Sequence, residues 1–147
     1  GWARGYSDYT VKRLYGGDPW LIVIEQAIEL ERLRNDPQLP SRWKANFLFP
    51  SIEDAMQTSN PKYWGKQQLL LWHAEICDPS ARTHIGDADL FRDFEGLSYP
   101  QLCERAKEYW APEATHEHRE LITESAIRIT QPRLFWSGQA WQPARSN

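Results

Sequence analysis

Cysteine is scarce in this chain of 147 residues, and the spacings that would give it a structural role are missing. Cys77 and Cys103 are far apart and form no Cys-x-x-Cys pair, so the sequence indicates neither a zinc ribbon nor a disulfide framework. We expect both to be small, buried hydrophobic side chains.

Long apolar runs are missing as well. No stretch approaches the roughly 20 apolar residues that cross a bilayer, and the N-terminus lacks the basic-then-apolar pattern of a signal peptide. We therefore expect a cytoplasmic protein with no membrane partner, or a piece cut from something larger.

The common signatures of nucleotide binding and serine hydrolysis are also missing. Without a P-loop or a Gly-x-Gly-x-x-Gly fingerprint, nucleotide recognition by those two routes is excluded. Without a Gly-x-Ser-x-Gly elbow, a serine hydrolase is not indicated. A net charge of -3 leaves no basic stripe for a dedicated duplex-binding protein, although it does not exclude a nucleic-acid substrate.

The overall amino-acid composition is that of a soluble globular protein, with 41% hydrophobic and 25% charged residues. The length fits a single domain, residues 1–147, with a core over about residues 10–136. Eight tryptophans are many for this length, and they indicate an aromatic core, an aromatic-lined ligand cleft, or both.

Hydrophobic periodicity predicts a single α+β domain in which strands and helices alternate. Two Ser-x-x-acid or Ser-x-x-Gln patterns, beginning at Ser51 and Ser98, predict capped helix starts. The predicted strands are Thr10–Tyr15, Trp43–Phe49, Leu69–Cys77, Thr83–Asp87 (strand or extended), Glu120–Thr130 and an edge strand Arg133–Trp136. The first predicted helix starts at Asp18-Pro19 and stops near Arg34-Asn35, with Glu25, Glu29 and Arg32 facing outward. The other two are Ser51–Met56 and a helix after Ser98 that ends near Trp110.

The segment Pro40-Ser41-Arg42 stands directly before the second predicted strand. A hydroxyl and a guanidinium at the end of a loop suit a phosphate or carboxamide ligand, because Arg presents a planar fork of donors. The alternative is that Ser41 is an ordinary turn residue and Arg42 a solvated strand start. Residue types alone leave both interpretations open.

The stretch from His116 to Glu120 is the most metal-like in the chain. His-x-His places two imidazoles on one face of a strand, as in many zinc sites. No third ligand is fixed by spacing, and His73 or His84 would have to arrive through folding. We therefore expect no metal, and a metal-dependent hydrolase is a third alternative only.

Several short motifs carry a family likeness when they are taken in chain order. They are a Glu-x-x-Arg pattern, Pro40-Ser41-Arg42, Phe47-Leu48-Phe49, Glu53-Asp54-Ala55, Gly86-Asp87, Ala106-Lys107-Glu108-Tyr109-Trp110 and Arg119-Glu120-Leu121-Ile122-Thr123. This order resembles a little-characterised group of bacterial and phage domains that looks like a branch of the ADP-ribosyltransferase superfamily. The likeness covers roughly residues 11–130. It implies a mixed, split β core with flanking helices around a cleft that binds NAD without a Rossmann motif.

The resemblance also implies a catalytic pair. Glu120 matches the superfamily's catalytic glutamate near the start of a late strand, and Ser41 matches the serine of the second strand. In that role Glu120 holds the 2′-hydroxyl of the nicotinamide ribose and stabilises the oxocarbenium-like state as nicotinamide leaves. Ser41 orders the site by hydrogen bonding.

The remaining NAD contacts follow from the same resemblance. Arg13, on the first predicted strand, matches the residue that binds the pyrophosphate or ribose through charge-assisted hydrogen bonds. Arg42 is expected on a phosphate. Tyr63 or Trp64 is expected to stack on nicotinamide, on the basis of aromatic type.

The chain departs from the superfamily pattern at the acceptor position. Where a carboxylate or Gln usually stands two residues before the catalytic glutamate, this chain has His118, preceded by Glu117. Pro-Ser-Arg also replaces the common Ser-Thr-Ser. We expect His118 and Glu117 to contact the acceptor, and His118 fits a nucleic-acid base, a protein side chain, or loss of transferase activity.

The resemblance therefore implies an NAD-dependent ADP-ribosyltransferase that uses NAD as its substrate and modifies a nucleic acid or a protein. A toxin, an effector or a phage-defence protein is the expected setting. The alternative is a non-catalytic module on the same fold that holds a nucleotide or a peptide with its Trp and Arg side chains.

Overall fold

A computed structural model describes residues 20–58, 69–91, 96–111, 116, 118–137 and 139–144. The predicted strand Thr10–Tyr15 with Arg13, the loop residues Tyr63 and Trp64, and Glu117 lie outside the described residues. Their predicted roles stay predictions.

The described chain is α+β, as predicted. Its helices are α1 (Trp20–Asn35), α2 (Ile52–Thr58) and α3 (Tyr99–Tyr109), with a 3₁₀ turn at Ala88–Phe91. Its strands are β1 (Asn46–Leu48), β2 (Leu69–Ile76), β3 (Thr83–Asp87), β4 (Arg119–Thr123), β5 (Ile127–Trp136) and β6 (Trp141–Pro143).

The strands form two separate three-stranded sheets, with orders β1-β4-β3 and β2-β5-β6. Every strand pairing among the described residues is antiparallel. The expected mixed sheet is therefore wrong for this part of the chain, whereas the expected division of the β core into two parts is present.

Both predicted helix caps form. The Ser51 hydroxyl accepts from the Asp54 backbone N–H at 3.1 Å and donates to the Asp54 carboxylate at 2.6 Å, so α2 starts where the sequence predicts. The Gln101 side-chain oxygen accepts from the Ser98 backbone N–H at 2.8 Å, which closes the capping box of α3. Arg119 binds Asp54 through two contacts of 2.8 Å and ties α2 to the start of β4.

The core lies where α1 and α3 pack over the β1-β4-β3 sheet. Its fully buried side chains come from both helices and from Ile122 of β4. The Trp110 indole N–H, just after α3, donates to the Ile28 carbonyl of α1 at 2.8 Å. Burial of each aliphatic side chain stabilises the fold by about 1.5–3 kcal/mol. The packing of these two helices therefore holds the sheet face that they cover in place.

The second predicted strand is shorter than expected. Residues 41–45 form a tight turn, in which the Lys44 and Ala45 N–H groups both donate to the Ser41 carbonyl, at 3.0 and 2.9 Å. Only Asn46–Leu48 pairs with β4. Arg42 therefore lies in a turn rather than at a strand start, because the local backbone bonds to Ser41 replace the ladder that Trp43–Ala45 would have used.

The predicted continuous strand Glu120–Thr130 is wrong, because the chain changes sheets within it. Ser125 interrupts the ladder: its N–H donates to the Thr123 hydroxyl at 3.2 Å, and its hydroxyl accepts from the Asp78 N–H at 3.1 Å. The segments on either side, β4 and β5, belong to different sheets. Since β5 runs through Trp136 and lies between β2 and β6, the predicted edge strand is a central one.

Two smaller expectations also need correction. Cys77 is exposed, and Cys103 is half-buried, so neither is a fully buried hydrophobic residue. On α1, Arg32 is buried, at 7% exposure, although its periodicity placed it outward.

Among the described residues, no helix combines the length and the apolar character needed to cross a bilayer.

Candidate functional site

Arg42 is the centre of a charged cluster that joins four parts of the fold. Its guanidinium Nε and Nη2 donate to the two carboxylate oxygens of Glu25 on α1, at 2.9 and 3.1 Å. This fork-to-fork geometry is the strongest form of an Arg–carboxylate contact. The turn at residues 41–45 is thereby fastened to α1.

The third guanidinium nitrogen of Arg42 connects α3 with β4. Nη1 donates to the Tyr109 hydroxyl at 2.7 Å and also contacts Oε1 of Glu120 directly. The Tyr109 hydroxyl in turn donates to the same Glu120 oxygen at 2.8 Å. Because one phenol has a single proton, the direction of this chain is fixed: Arg42 donates to Tyr109, and Tyr109 donates to Glu120.

Two aromatic rings flank the Arg42 guanidinium. Its central carbon lies 4.8 Å from the centroid of Phe47 and 4.9 Å from that of Tyr109. Both distances are within the range of a cation–π contact. The orientation of Arg42 is therefore set by hydrogen bonds in its plane and by rings on its faces.

The cluster carries one positive group and two negative groups. The side chains of Arg42, Glu25 and Glu120 are only 10%, 12% and 14% exposed. Burial raises the pKa of Tyr109 well above its ordinary value, and although Arg42 acts against this, the neighbouring carboxylate of Glu120 adds to it. Tyr109 therefore stays a neutral donor at physiological pH, and among the described residues the cluster has two carboxylates and one guanidinium.

Gly86 makes room for the Tyr109 ring. It lies opposite Glu120 in the β3–β4 register, and a Cβ built on it would stand 2.2 Å from Cε2 and 2.4 Å from Cζ of Tyr109. Any side chain at this position would occupy the space of the ring that donates to Glu120. A residue without a Cβ is thus required at this register position.

Ser41 stabilises the turn and does not hydrogen-bond to Glu120 within the described residues. Its hydroxyl donates to Glu29 at 3.0 Å, and its N–H donates to Glu124 at 2.7 Å. Glu29 is also held by two bonds from Arg32, of 2.7 and 3.0 Å. The ordering role expected of Ser41 is thus exerted on the turn that carries Arg42.

His118, the expected acceptor contact, lies just before β4. Its Nδ1 contacts the Asp89 carboxylate, and its carbonyl accepts from the Ala88 N–H at 2.9 Å. Eight site residues were predicted from the sequence. The structure brings Arg42 and Glu120 into contact and places Ser41 next to Arg42 in the chain. Arg13, Tyr63, Trp64 and Glu117 lie outside the described residues.

Three members of the cluster were missed by sequence reasoning. Glu25 fell on the outward-facing positions of the predicted helix, and Tyr109 read as an ordinary core aromatic. Gly86 belongs to the Gly86-Asp87 motif but was not among the predicted site residues. A glycine at such a position signals a close approach of another group, and that signal was available in the sequence.

A cavity of about 520 Å³ lies between the two sheets. Phe47 forms part of its wall and also packs on the Arg42 guanidinium, so the cavity and the charged cluster share a side chain. Trp72 and Ile129 line the side formed by β2 and β5, where Arg133 adds a positive charge. Its volume lies within the range of small-molecule sites.

The Glu120 carboxylate is held in one orientation. Both of its hydrogen bonds within the described part of the chain end on Oε1. Oε2 is then the oxygen that a ligand hydroxyl can approach. A carboxylate fixed on one side by two donors can accept a hydrogen bond or stabilise a nearby cation on the other.

Comparison with known proteins places the chain in a family without assigning it an activity. No curated protein matches it. The sequence profile of DUF2441, described as a protein of unknown function, matches residues 9–133 and so covers most of the chain. The chain therefore belongs to the DUF2441 family.

Proposed function

We propose that this protein is an ADP-ribosyltransferase that takes NAD, releases nicotinamide and transfers ADP-ribose to a macromolecule. The observation that carries the proposal is the contact between Arg42 and Glu120. These residues are 78 positions apart, and each was singled out from the sequence for a role at one NAD site.

The chemistry assigns a distinct task to Glu120. The glycosidic bond between the ribose C1′ and the nicotinamide nitrogen breaks, and nicotinamide leaves with the bonding electrons. An acceptor nucleophile then forms a bond to C1′ and gives up a proton to solvent or to a base. Oε2 of Glu120 accepts a hydrogen bond from the ribose 2′-hydroxyl and stabilises the positive charge that develops on the ribose.

The charge of the cluster supports this role. Among the described residues, two carboxylates face one guanidinium in a largely buried setting, so their charges are weakly screened. A ribose that becomes cationic beside Glu120 is favoured there more than its neutral ground state, which is the condition for catalysis. Tyr109 and Arg42 hold the carboxylate still, which reduces the reorganisation needed during reaction.

The surroundings support an NAD-sized ligand. The division of the β core into two small sheets is consistent with the split core that the resemblance implies, and the cavity between them has a volume of about 520 Å³. Phe47 and Trp72 offer aromatic surface, and Arg133 offers a partner for phosphate. The acceptor remains a nucleic acid or a protein in this proposal, with toxin, effector or phage-defence activity as its setting.

The test is nicotinamide release. Purified protein incubated with NAD should release nicotinamide, measured by chromatography, and should label an acceptor in cell extract when the NAD carries a tag. Glu120→Gln should lower the rate by about 10²–10³-fold, as removal of one preorganised electrostatic group does elsewhere.

The matched control is Glu75→Gln. Glu75 lies on β2 with its side chain 51% exposed and only a 3.6 Å surface pair with Arg128, so this variant should keep the wild-type rate. Equal activity in wild type and Glu120→Gln would refute the assignment of Glu120. NAD binding by calorimetry without release in any sample would favour the alternative, a non-catalytic nucleotide-binding module.

A further inference from the structure

The wall of the cavity between the two sheets carries a positive charge and no carboxylate. Its lining residues all belong to the described part of the chain, and none of them is an aspartate or a glutamate. Arg133 lines the cavity and keeps its charge at any physiological pH. A ligand in this cavity therefore meets a cation and no acidic side chain.

The Arg133 guanidinium is available to such a ligand. Within the described ranges it forms no ion pair and no hydrogen bond, and only its backbone carbonyl is used, by the Ala144 N–H at 3.1 Å. Arg128, the other arginine of β5, instead lies 3.6 Å from Glu75. Because Arg133 gives up no ion pair when a ligand binds, its full charge can be used for an anionic group.

Carboxylates on the elements around the cavity already contact arginines. Asp54 of α2 receives two contacts of 2.8 Å from Arg119, and its side chain is only 6% exposed. Glu120 of β4 contacts Arg42 directly. Neither carboxylate lines the cavity, so neither stands against the charge of a ligand inside it.

Two aromatic rings define the other part of the ligand. Phe47 and Trp72 both line the cavity, yet they are 40% and 48% exposed, so ring surface is open to a flat group. Nucleobases stack on aromatic side chains of this kind, and their phosphates pair with arginine. The wall thus suits a nucleotide, and its charge suits one that carries an additional phosphate.

We infer that this cavity takes the phosphorylated dinucleotide, NADP, in preference to NAD. The inference rests on the proposed function, because it names the form of the substrate that the same site takes. In dinucleotide sites, a carboxylate on the ribose 2′-hydroxyl selects NAD, whereas an arginine accommodates the 2′-phosphate of NADP. This cavity has the arginine and lacks the carboxylate.

The role of Glu120 is unchanged by this preference. The additional phosphate of NADP is on the adenosine ribose, whereas Glu120 acts on the 2′-hydroxyl of the nicotinamide ribose. The same bond to nicotinamide breaks in both dinucleotides, and the product from NADP is a phosphorylated ADP-ribose on the acceptor.

The test is calorimetric titration of the whole chain with NADP and, separately, with NAD. At low ionic strength the Kd for NADP should be lower by roughly tenfold, which is the effect of one charge-assisted contact. The preference should shrink as salt is added, because an exposed guanidinium is screened by ions. Equal affinities, tighter binding of NAD, or no binding of either dinucleotide would overturn the inference.

Two variants and one control locate the preference on the cavity wall. Arg133→Met removes the charge but keeps an apolar stem, and it should bring the two affinities close together. Ile129→Glu adds a carboxylate at an exposed lining position and should make NAD the better ligand. Arg128→Met is the matched control: it changes an arginine of the same strand that is 70% exposed and lies outside the cavity lining, so the preference should stay. An undiminished preference for NADP in both Arg133→Met and Ile129→Glu would refute the assignment.

Nicotinamide release separates this inference from the proposed function. Release from NAD together with equal affinity for the two dinucleotides would keep the transferase and refute the preference. Preferred binding of NADP without release from either dinucleotide would keep the preference and refute the transferase.

Discussion

Replacement of Gly86 by alanine tests the geometry of the charged cluster most directly. The backbone φ of Gly86 is not in the left-handed region, so alanine meets no conformational strain there. By itself, a compatible Gly→Ala change would stabilise the protein by about 0.4–1 kcal/mol, because it restricts the unfolded chain. The structure instead predicts that Gly86→Ala lowers the free energy of unfolding.

The reason is the space occupied by Tyr109. The added methyl would lie 2.2 Å from Cε2 of the ring, where an ordinary carbon–carbon contact is about 3.5–4.0 Å. The ring would have to move by more than about 1 Å, although it is fully buried and its hydroxyl is bound to Arg42 and Glu120. Overpacking of this kind typically costs about 1–3 kcal/mol, and we expect a net loss of about 2 kcal/mol.

Urea denaturation followed by tryptophan fluorescence measures the effect. With a slope of about 2 kcal/mol per molar urea, the midpoint should fall by about 1 M. The double variant Gly86→Ala/Tyr109→Val removes the ring that causes the clash, so its loss should be clearly smaller than the sum of the two single losses.

Gly96→Ala serves as the control for a glycine replacement without a clash. Gly96 has a φ of 81° and no atom near its added Cβ, so its cost comes from the backbone and should add simply to that of Tyr109→Val. A neutral or stabilising Gly86→Ala, or strict additivity in the double variant, would refute the packing argument.

Two further changes probe the same region. Tyr109→Phe removes the acceptor of Arg42 and a donor to Glu120 while keeping the ring, so unfolding free energy should fall by about 1–3 kcal/mol in urea denaturation; an unchanged midpoint would show that these bonds contribute nothing net. Burial lowers the pKa of His84 below its ordinary 6.5, despite the hydrogen bond of its Nε2 to the Tyr109 carbonyl at 2.7 Å. The unfolded chain therefore takes up this proton first as the pH falls, and stability is lost below pH 6.5 by at most about 1.4 kcal/mol per pH unit. His84→Gln keeps a donor and should remove that part of the slope, so identical stability–pH curves for variant and wild type would contradict this assignment.

Local signals in the sequence predicted the starts of two helices. The caps at Ser51 and Ser98 gave the starts of α2 and α3, because capping depends on residues within one turn of each other. The period of α1 gave its extent to Asn35. Alternation could not show that the chain leaves one sheet and enters another at Ser125, because a strand on either side of such a break keeps the same two-residue period.

The candidate site was predictable in part for the same reason. Arg42 and Glu120 were singled out through the family resemblance, whereas the partners they contact are set by tertiary structure. Glu25 read as a solvent-facing helix position, and only the reach of Arg42 from the turn makes it a buried partner. The position of Gly86 opposite Glu120 depends on the register of β3 and β4, which no local pattern specifies.

The contacts of Arg42 have a consequence for how the protein folds. Its three carboxylate and hydroxyl partners among the described residues lie 17, 67 and 78 positions away in the chain. Contacts that close such long loops form late, because the entropic cost of closing the loop must be overcome before the contacts stabilise the chain. A fragment that ends before Tyr109 lacks two of these three partners, Tyr109 and Glu120. Completion of the cluster is therefore a late folding event, and the candidate site becomes competent only when the whole α1–β4 segment has assembled.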